Sequence, residues 1–211
     1  MTRKTIHPII LAAGRSSRLG FPKVTARFGE RTAVEIAVEN CAGLARPIVV
    51  LGHDAAGLRK AVPHAARVVV NRRWRQGQTT SLLTGLRHVP RNADFMLYPL
   101  DFPLLTPEVV RRLVAAFLRR SKTQAITAPS FRRRAGHPVI FAAKIRRELE
   151  TAKAARDVVY RDLSRIRFAS VRTPAIWLDF DTPSAYRRRV REYMRYHARQ
   201  RKKTGRKGRQ R

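Results

Sequence analysis

Five short runs in this chain are apolar almost throughout and rich in β-branched side chains: residues 8–12, 47–51, 68–70, 95–100 and 125–128. A strand with one wet face alternates apolar and polar residues. A strand without that alternation has to be covered on both faces. Helical patterns separate the runs, at 33–44, 55–62, 80–88 and 108–119. Strand alternating with helix predicts an α/β fold: a mainly parallel sheet with helices on both sides. In open sheets of this kind ligands sit at the carboxyl ends of the strands. The chemistry is therefore expected in the loops that follow the runs.

Two later pieces break the rhythm. Residues 131–137 read as a basic turn leading into a strand at 138–141, and 167–171 and 176–180 read as further strands. No internal repeat occurs. From about Tyr186 the composition changes: Arg187, Arg188 and Arg189 open a helical stretch, and 199–211 is nearly all basic or small polar. A segment without apolar residues buries no core. The expected organisation is one domain over residues 1–198 and a basic, disordered tail over 199–211.

Lysine and arginine outnumber the acids 46 to 14, a formal net charge of +32. Such a charge points to a polyanionic counterpart: a nucleotide, a nucleic acid or an anionic membrane. The single cysteine, Cys41, excludes an internal disulfide and any multi-cysteine metal cage. It recurs at helical spacing with Val34 and Val38 and is expected in the core. No run approaches the ~20 apolar residues of a membrane span. Arg3 and Lys4 ahead of the first apolar run imitate a signal peptide, but Pro8 and Gly14 bound a run too short for one. A cytoplasmic protein is expected.

The most informative stretch follows the first run directly: Leu11-Ala12-Ala13-Gly14-Arg15-Ser16-Ser17-Arg18-Leu19-Gly20-Phe21-Pro22-Lys23. Its glycines let the backbone turn tightly and approach a ligand, and successive N–H groups can form an anion-binding nest. Arg15, Arg18 and Lys23 add three cations. A triphosphate needs this combination of backbone donors and fixed charge. The spacing is neither that of a P-loop nor that of a dinucleotide fingerprint.

That string resembles the L-A-A-G-x-S-x-R-[ML]-G-x-[PN]-K signature of the MobA-like NTP transferase family, and most closely its molybdenum cofactor cytidylyltransferases. Further matches follow in chain order. The segment Asn71 to Leu86 is similar to N-x-x-x-x-x-G-[MQ]-x-x-S-L-x-x-G-[LI]. Leu97-Tyr98-Pro99-Leu100-Asp101-Phe102-Pro103-Leu104-Leu105 resembles the acidic metal motif. Gly136-His137-Pro138-Val139-Ile140-Phe141 resembles G-H-P-[VL]-x-F, and Asp179-Phe180-Asp181-Thr182-Pro183 resembles D-I-D-T-P. The resemblance implies a three-layer α/β/α, Rossmann-like nucleotide-diphospho-sugar transferase fold. It also implies nucleotidyl transfer from an NTP to a phosphorylated acceptor, with Mg²⁺. One segment departs: Thr151-Ala152-Lys153-Ala154-Ala155-Arg156 stands where the cytidylyltransferases carry G-D-x-G-A-R.

On this reading Leu11, Ala12, Ala13, Gly14, Arg15, Arg18 and Lys23 bind the nucleotide, and Gly77, Gln78 and Ser81 help hold base and ribose, with Thr79 or Thr80 capping their helix. Arg18 and Lys23 take the β- and γ-phosphates. Asp101, at the end of a central strand, is the expected metal ligand, with Thr106 capping the helix after it. Asp181 is the expected second ligand, although Asp179 lies on the same face if the segment is extended, and Asp181 could instead cap the helix near Pro183. His137 is an acceptor-side candidate, and Trp74 a core residue that could stack on a ring. Ala13 narrows the base pocket and favours CTP over GTP, and a molybdopterin-type phosphate is the favoured acceptor. Two alternatives stand beside this: a sugar-phosphate or other small-phosphate acceptor, and a basic nucleic-acid-binding protein built on a transferase fold, with nucleic acid or membrane met through the tail.

Overall fold

The computed structural model describes residues 5–207. Arg3 and Lys4, and positions 208–211 of the expected tail, lie outside them. Strands β1 (His7–Ala12), β4 (Ile48–Leu51), β5 (Arg67–Val70) and β6 (Phe95–Pro99) form the parallel heart of an eight-stranded sheet, with β1 between β4 and β6. Ile9 pairs with Ile48 on one side and Leu97 on the other, and it is fully buried, as a doubly covered strand requires. The sheet continues from β6 through β9 (Val139–Phe141) and β7 (Ile126–Phe131) to β10 (Ile166–Ser170). β9 runs antiparallel to both neighbours, and β8 (Arg134–Ala135) pairs with β7. β2 (Arg27–Phe28) and β3 (Arg31–Thr32) make a separate ribbon.

The helices are α1 (Ala33–Asn40), α2 (Ala55–Leu58), α3 (Gln78–Leu86), α4 (Pro107–Leu118), α5 (Arg146–Thr151), α6 (Ala155–Tyr160) and α7 (Pro183–Lys207). α1 opens with a capping box in which Thr32 and Glu35 exchange hydrogen bonds. α3 packs tightly on β1. A Cβ on Gly85 would lie 2.4 Å from Ile9 Cγ2 and 3.0 Å from Val50 Cγ2, so only glycine allows this approach. Its far end is held by Arg146, whose buried guanidinium donates to the carbonyls of Leu86 (2.5 Å), Val89 (3.0 Å) and Pro90 (3.1 Å). Cys41 is buried just past α1, and desolvation pushes its thiol far above the usual range.

The structure corrects several local expectations. Residues 176–180 are not a strand. Thr173 accepts a hydrogen bond from Ala175 N–H, Pro174 opens a 3₁₀ turn through Trp177, and 178–182 follow without regular structure. Residues 55–62 split into α2 and a 3₁₀ turn, Arg59–Ala61. α3 starts earlier than expected and is not capped by Thr79 or Thr80. Gly77, at φ 103°, occupies its N-cap, and Thr80 donates back to the Gly77 carbonyl. Thr106 occupies the N-cap of α4 but makes no side-chain hydrogen bond there. The backbone of α7 stays helical to Lys207, through most of the segment expected to be disordered, and arginine, lysine, glutamine and alanine are good helix formers. No helix among the described residues is long and apolar enough to cross a membrane.

Candidate active site

Strand order reverses at β1: the chain moves outward to β4 and β5, then returns to place β6 on the other side. Clefts outside the strand ends open at such a reversal. Here a cavity of about 420 Å³ opens beside the carboxyl ends of β1 and β6. The loop after β1 forms its floor. Ser16 takes a positive φ of 57°, its carbonyl accepts from Leu19 and Gly20 N–H, and its hydroxyl accepts from Lys23 N–H. The Ala13 carbonyl accepts from His53 N–H at 3.0 Å. A Cβ on Gly52 would lie 2.6 Å from that carbonyl and 2.6 Å from Trp74 Cβ. Three segments therefore meet around Ala13 without slack.

Leu11, Ala12, Ala13, Gly14, Arg18 and Lys23 all contribute to the cavity wall. So do Gly77, Gln78 and Ser81 from the start of α3, and Asp101 and Asp181. Asn71 fixes the α3 end by donating to Thr80 Oγ1 (2.9 Å) and Ser81 Oγ (3.0 Å). Arg15 and His137 are not part of the wall. Trp74 is, with its ring 5.2 Å from His53 and the Arg75 guanidinium 5.0 Å above it. Leu58 of α2 and Arg75 also line the cavity, and sequence reasoning assigned neither. Arg75 carried no signal apart from its neighbour Trp74, and Leu58 arrives only through packing.

At the cavity's charged end Lys23 Nζ bridges two carboxylates. It is 3.2 Å from Asp101 Oδ2 and hydrogen-bonds Asp181 Oδ1. Arg18 Nη2 donates to the other oxygen of Asp181 at 2.5 Å. Asp101 is brought alongside by Leu100 N–H, which donates to the Leu11 carbonyl at the end of β1. Asp181 is set by Phe180, fully buried with its ring 5.1 Å from Phe28. It is not the cap of α7, because Thr182 Oγ1 accepts from Ala185 N–H. Burial opposes the charge of Asp181, but the Lys23 hydrogen bond and the charges of Lys23 and Arg18 outweigh it and hold the carboxyl below its usual value. Asp179 is shifted the other way: burial and the charges of Asp181 and Asp101 raise it, with Lys23 offsetting only part.

His137 sits between β8 and β9 with its ring 5.1 Å from Phe102, the residue after Asp101. Burial lowers its pKa, partly countered by Asp101, so the imidazole is neutral at pH 7, and its buried Nδ1 has no hydrogen-bond partner. Asp101 Oδ1 is likewise buried without a partner. Among the described residues no three His, Cys, Asp or Glu side chains converge as a metal cage. Two carboxylates with an unsatisfied oxygen nonetheless fit a hard cation that takes its remaining ligands from phosphates and water.

A mainly parallel α/β sheet with a glycine-bearing basic loop and paired carboxylates at a strand-order reversal defines a nucleotide-handling protein. The chain belongs to the MobA-like NTP transferase domain family, whose sequence model matches residues 8–171. It is 30% identical over 146 residues, 65% of this chain and 71% of the relative, to nicotine blue oxidoreductase of Paenarthrobacter nicotinovorans. It is 28% identical over 159 residues, 74% of this chain and 80% of the relative, to a probable molybdenum cofactor guanylyltransferase of Geobacillus sp. (strain WCH70). The crystal structure of Rv0371c from Mycobacterium tuberculosis H37Rv matches with a TM-score of 0.76 at 28% identity, covering 90% of this chain and all of that one (100%). A structure of Rv0371c in complex with manganese matches with a TM-score of 0.73 at 26% identity, covering 89% and 98%. The fold is that of the nucleotide-diphospho-sugar transferases, and the family's chemistry is nucleotidyl transfer.

Proposed function

We propose that this chain transfers CMP from CTP to a phosphorylated acceptor in the cytoplasm, with Mg²⁺, and releases pyrophosphate. The observation that carries this reading is the Lys23–Asp101–Asp181 cluster at the end of a cavity floored by the loop after β1. Lys23 and Arg18 would take the β- and γ-phosphates and neutralise the charge that grows on the leaving pyrophosphate. Backbone N–H groups of the Ala13–Ser17 stretch would orient the remaining oxygens. Asp101 and Asp181 would hold Mg²⁺, which when bound polarises the α-phosphate. An acceptor phosphate oxygen bonds to the α-phosphorus as its bond to the β-phosphate bridging oxygen breaks, and pyrophosphate departs with that electron pair. A phosphate monoester is already an anion at neutral pH, so no general base is required.

The preference for CTP rests on Ala13. Its carbonyl is fixed by His53, and Gly52 and Trp74 pack behind it, so the loop has no room to retreat from a larger base. Gln78 offers both donor and acceptor to a base edge. A molybdopterin-type phosphate is the favoured acceptor, with neutral His137 on the acceptor side. A sugar phosphate is the second reading, because Thr151, Ala152 and Ala154, at the end of α5 and in its connection to α6, stand where the cytidylyltransferases place their glycines and acid. An oxidoreductase and a guanylyltransferase by name both match this domain, so the site decides the substrate within the family. Contact with nucleic acid or an anionic membrane is at most accessory, through the basic end of α7.

The test is kcat/KM for CTP, GTP, ATP and UTP with Mg²⁺, using molybdopterin and a panel of sugar phosphates as acceptors. CTP should lead. A difference in pocket size of one methyl group sets the scale at ~1–3 kcal/mol. GTP or ATP ahead of CTP by about tenfold, which is about 1.4 kcal/mol, would overturn the cytidylyl assignment.

A further inference from the structure

Lys23 stands where the proposed metal would. Its side chain is 17% exposed, and its ammonium touches both carboxylates that would hold the ion. Each oxygen of Asp181 faces a cation, Oδ1 the lysine and Oδ2 Arg18. Asp101 offers Oδ2 to the same lysine and keeps only Oδ1 unpartnered. The Phe180 ring, 5.4 Å from the lysine, favours a cation at this spot. A divalent ion bridging Asp101 and Asp181 would have to displace the ammonium and then sit beside it, with like charges opposed in a half-buried site.

A nucleoside triphosphate removes that obstacle. Its phosphates are the groups that Lys23 and Arg18 would take, so their arrival draws both cations off the carboxylates. We infer that Lys23 is a resident counter-ion of the metal carboxylates, and that it admits a divalent cation only when a triphosphate supplies it with a new partner. The inference rests on the proposed reading of the site and adds an order to it: nucleotide and metal enter together, and metal alone is held off. Linkage then requires each to tighten the other equally.

The experiment is equilibrium dialysis of Mn²⁺ against the full-length chain, with and without equal CTP on both sides, reading the excess Mn²⁺ on the protein side. The wild type should bind Mn²⁺ weakly alone and at least about tenfold more tightly with CTP present. Lys23→Met should bind Mn²⁺ alone at least about tenfold more tightly than the wild type, and gain less from CTP. Arg18→Gln should move the same way by less, because Arg18 faces only Asp181. Adding Asp101→Asn to Lys23→Met should abolish the gain, which places the ion at this site. Circular dichroism establishes that each variant is folded. If the wild type binds Mn²⁺ alone as tightly as Lys23→Met does, the counter-ion role is overturned while the metal site stands. If no variant binds Mn²⁺ even with CTP, the metal reading itself fails and this inference with it.

Discussion

Arg146 is the place where a single side chain should decide the stability of this fold. It is 7% exposed and donates to three main-chain carbonyls at and just beyond the end of α3, while Nε meets Glu150 at 3.2 Å. In Arg146→Met the stem is replaced at similar volume and the three carbonyls lose their donor. A hydrogen bond to a charged group is worth about 1.5–3 kcal/mol. Three bonds from one guanidinium act as a unit and do not add, so the expected loss is about 3–4 kcal/mol. With a urea m-value of about 2 kcal/mol/M, the midpoint should fall by about 1.5–2 M. Arg147→Met is the control: the neighbouring arginine is exposed, and its loss should change stability by no more than about 0.5 kcal/mol. Urea titration by circular dichroism reads both. Equal midpoints for the two variants would refute the reasoning. Because α3 also presents Gln78 and Ser81 to the cavity, Arg146→Met should weaken nucleotide binding under conditions where it is still folded.

Asp101→Asn should lower the rate of pyrophosphate release by about 10²–10³ while shifting stability by less than about 1 kcal/mol, since Lys23 keeps Asp181 as partner; near wild-type turnover would remove Asp101 from the chemistry. Asp179 is raised above 3.8 by burial and by the charges of Asp181 and Asp101. Its ionised form therefore opposes folding above its folded pKa, and the penalty is gone below the unfolded value. Asp179→Asn should raise Tm at pH 7 and leave it unchanged below about pH 3.5, and a gain independent of pH would point to packing instead. Deleting residues 199–211 should leave the CTP-induced thermal shift intact and reduce the salt sensitivity of RNA retention; loss of the shift in a folded protein would put this segment in the site.

The heart of the sheet was legible because β4, β6 and residues 8–12 of β1 have no polar face: Ile9, Ile10, Val49, Val50, Phe95 and Met96 are all fully buried. The same rule misled at 176–180. Ala175, Ile176 and Phe180 are as buried as strand residues but come from a 3₁₀ turn and an irregular segment, where Thr173 and Pro174 set the backbone. Residues that are apolar for packing do not announce their backbone. The loop after β1 was legible as a string, yet Arg15 in the middle of it turns away from the cavity wall while Ser16 and Ser17 line it. The positive φ of Ser16 redirects side chains there, and composition gives no hint of that. The carboxylates were readable as strand-end acids. That one lysine joins them was not, because the pairing is made by the tertiary fold.

The bridge from Lys23 to Asp181 joins positions 158 residues apart. During synthesis β1, the loop after it and the start of α3 are all made long before the second carboxylate exists. Until the segment ahead of α7 docks through Phe180 against Phe28, Lys23 has only one acid to hold. Contacts of such separation form late, after the loop-closure entropy of the intervening chain has been overcome. The carboxylate cluster is thereby a seal on the finished domain: a chain halted or clipped before Asp181 has the loop after β1 but no carboxylate pair, so under the proposed function partial products would not turn over NTP.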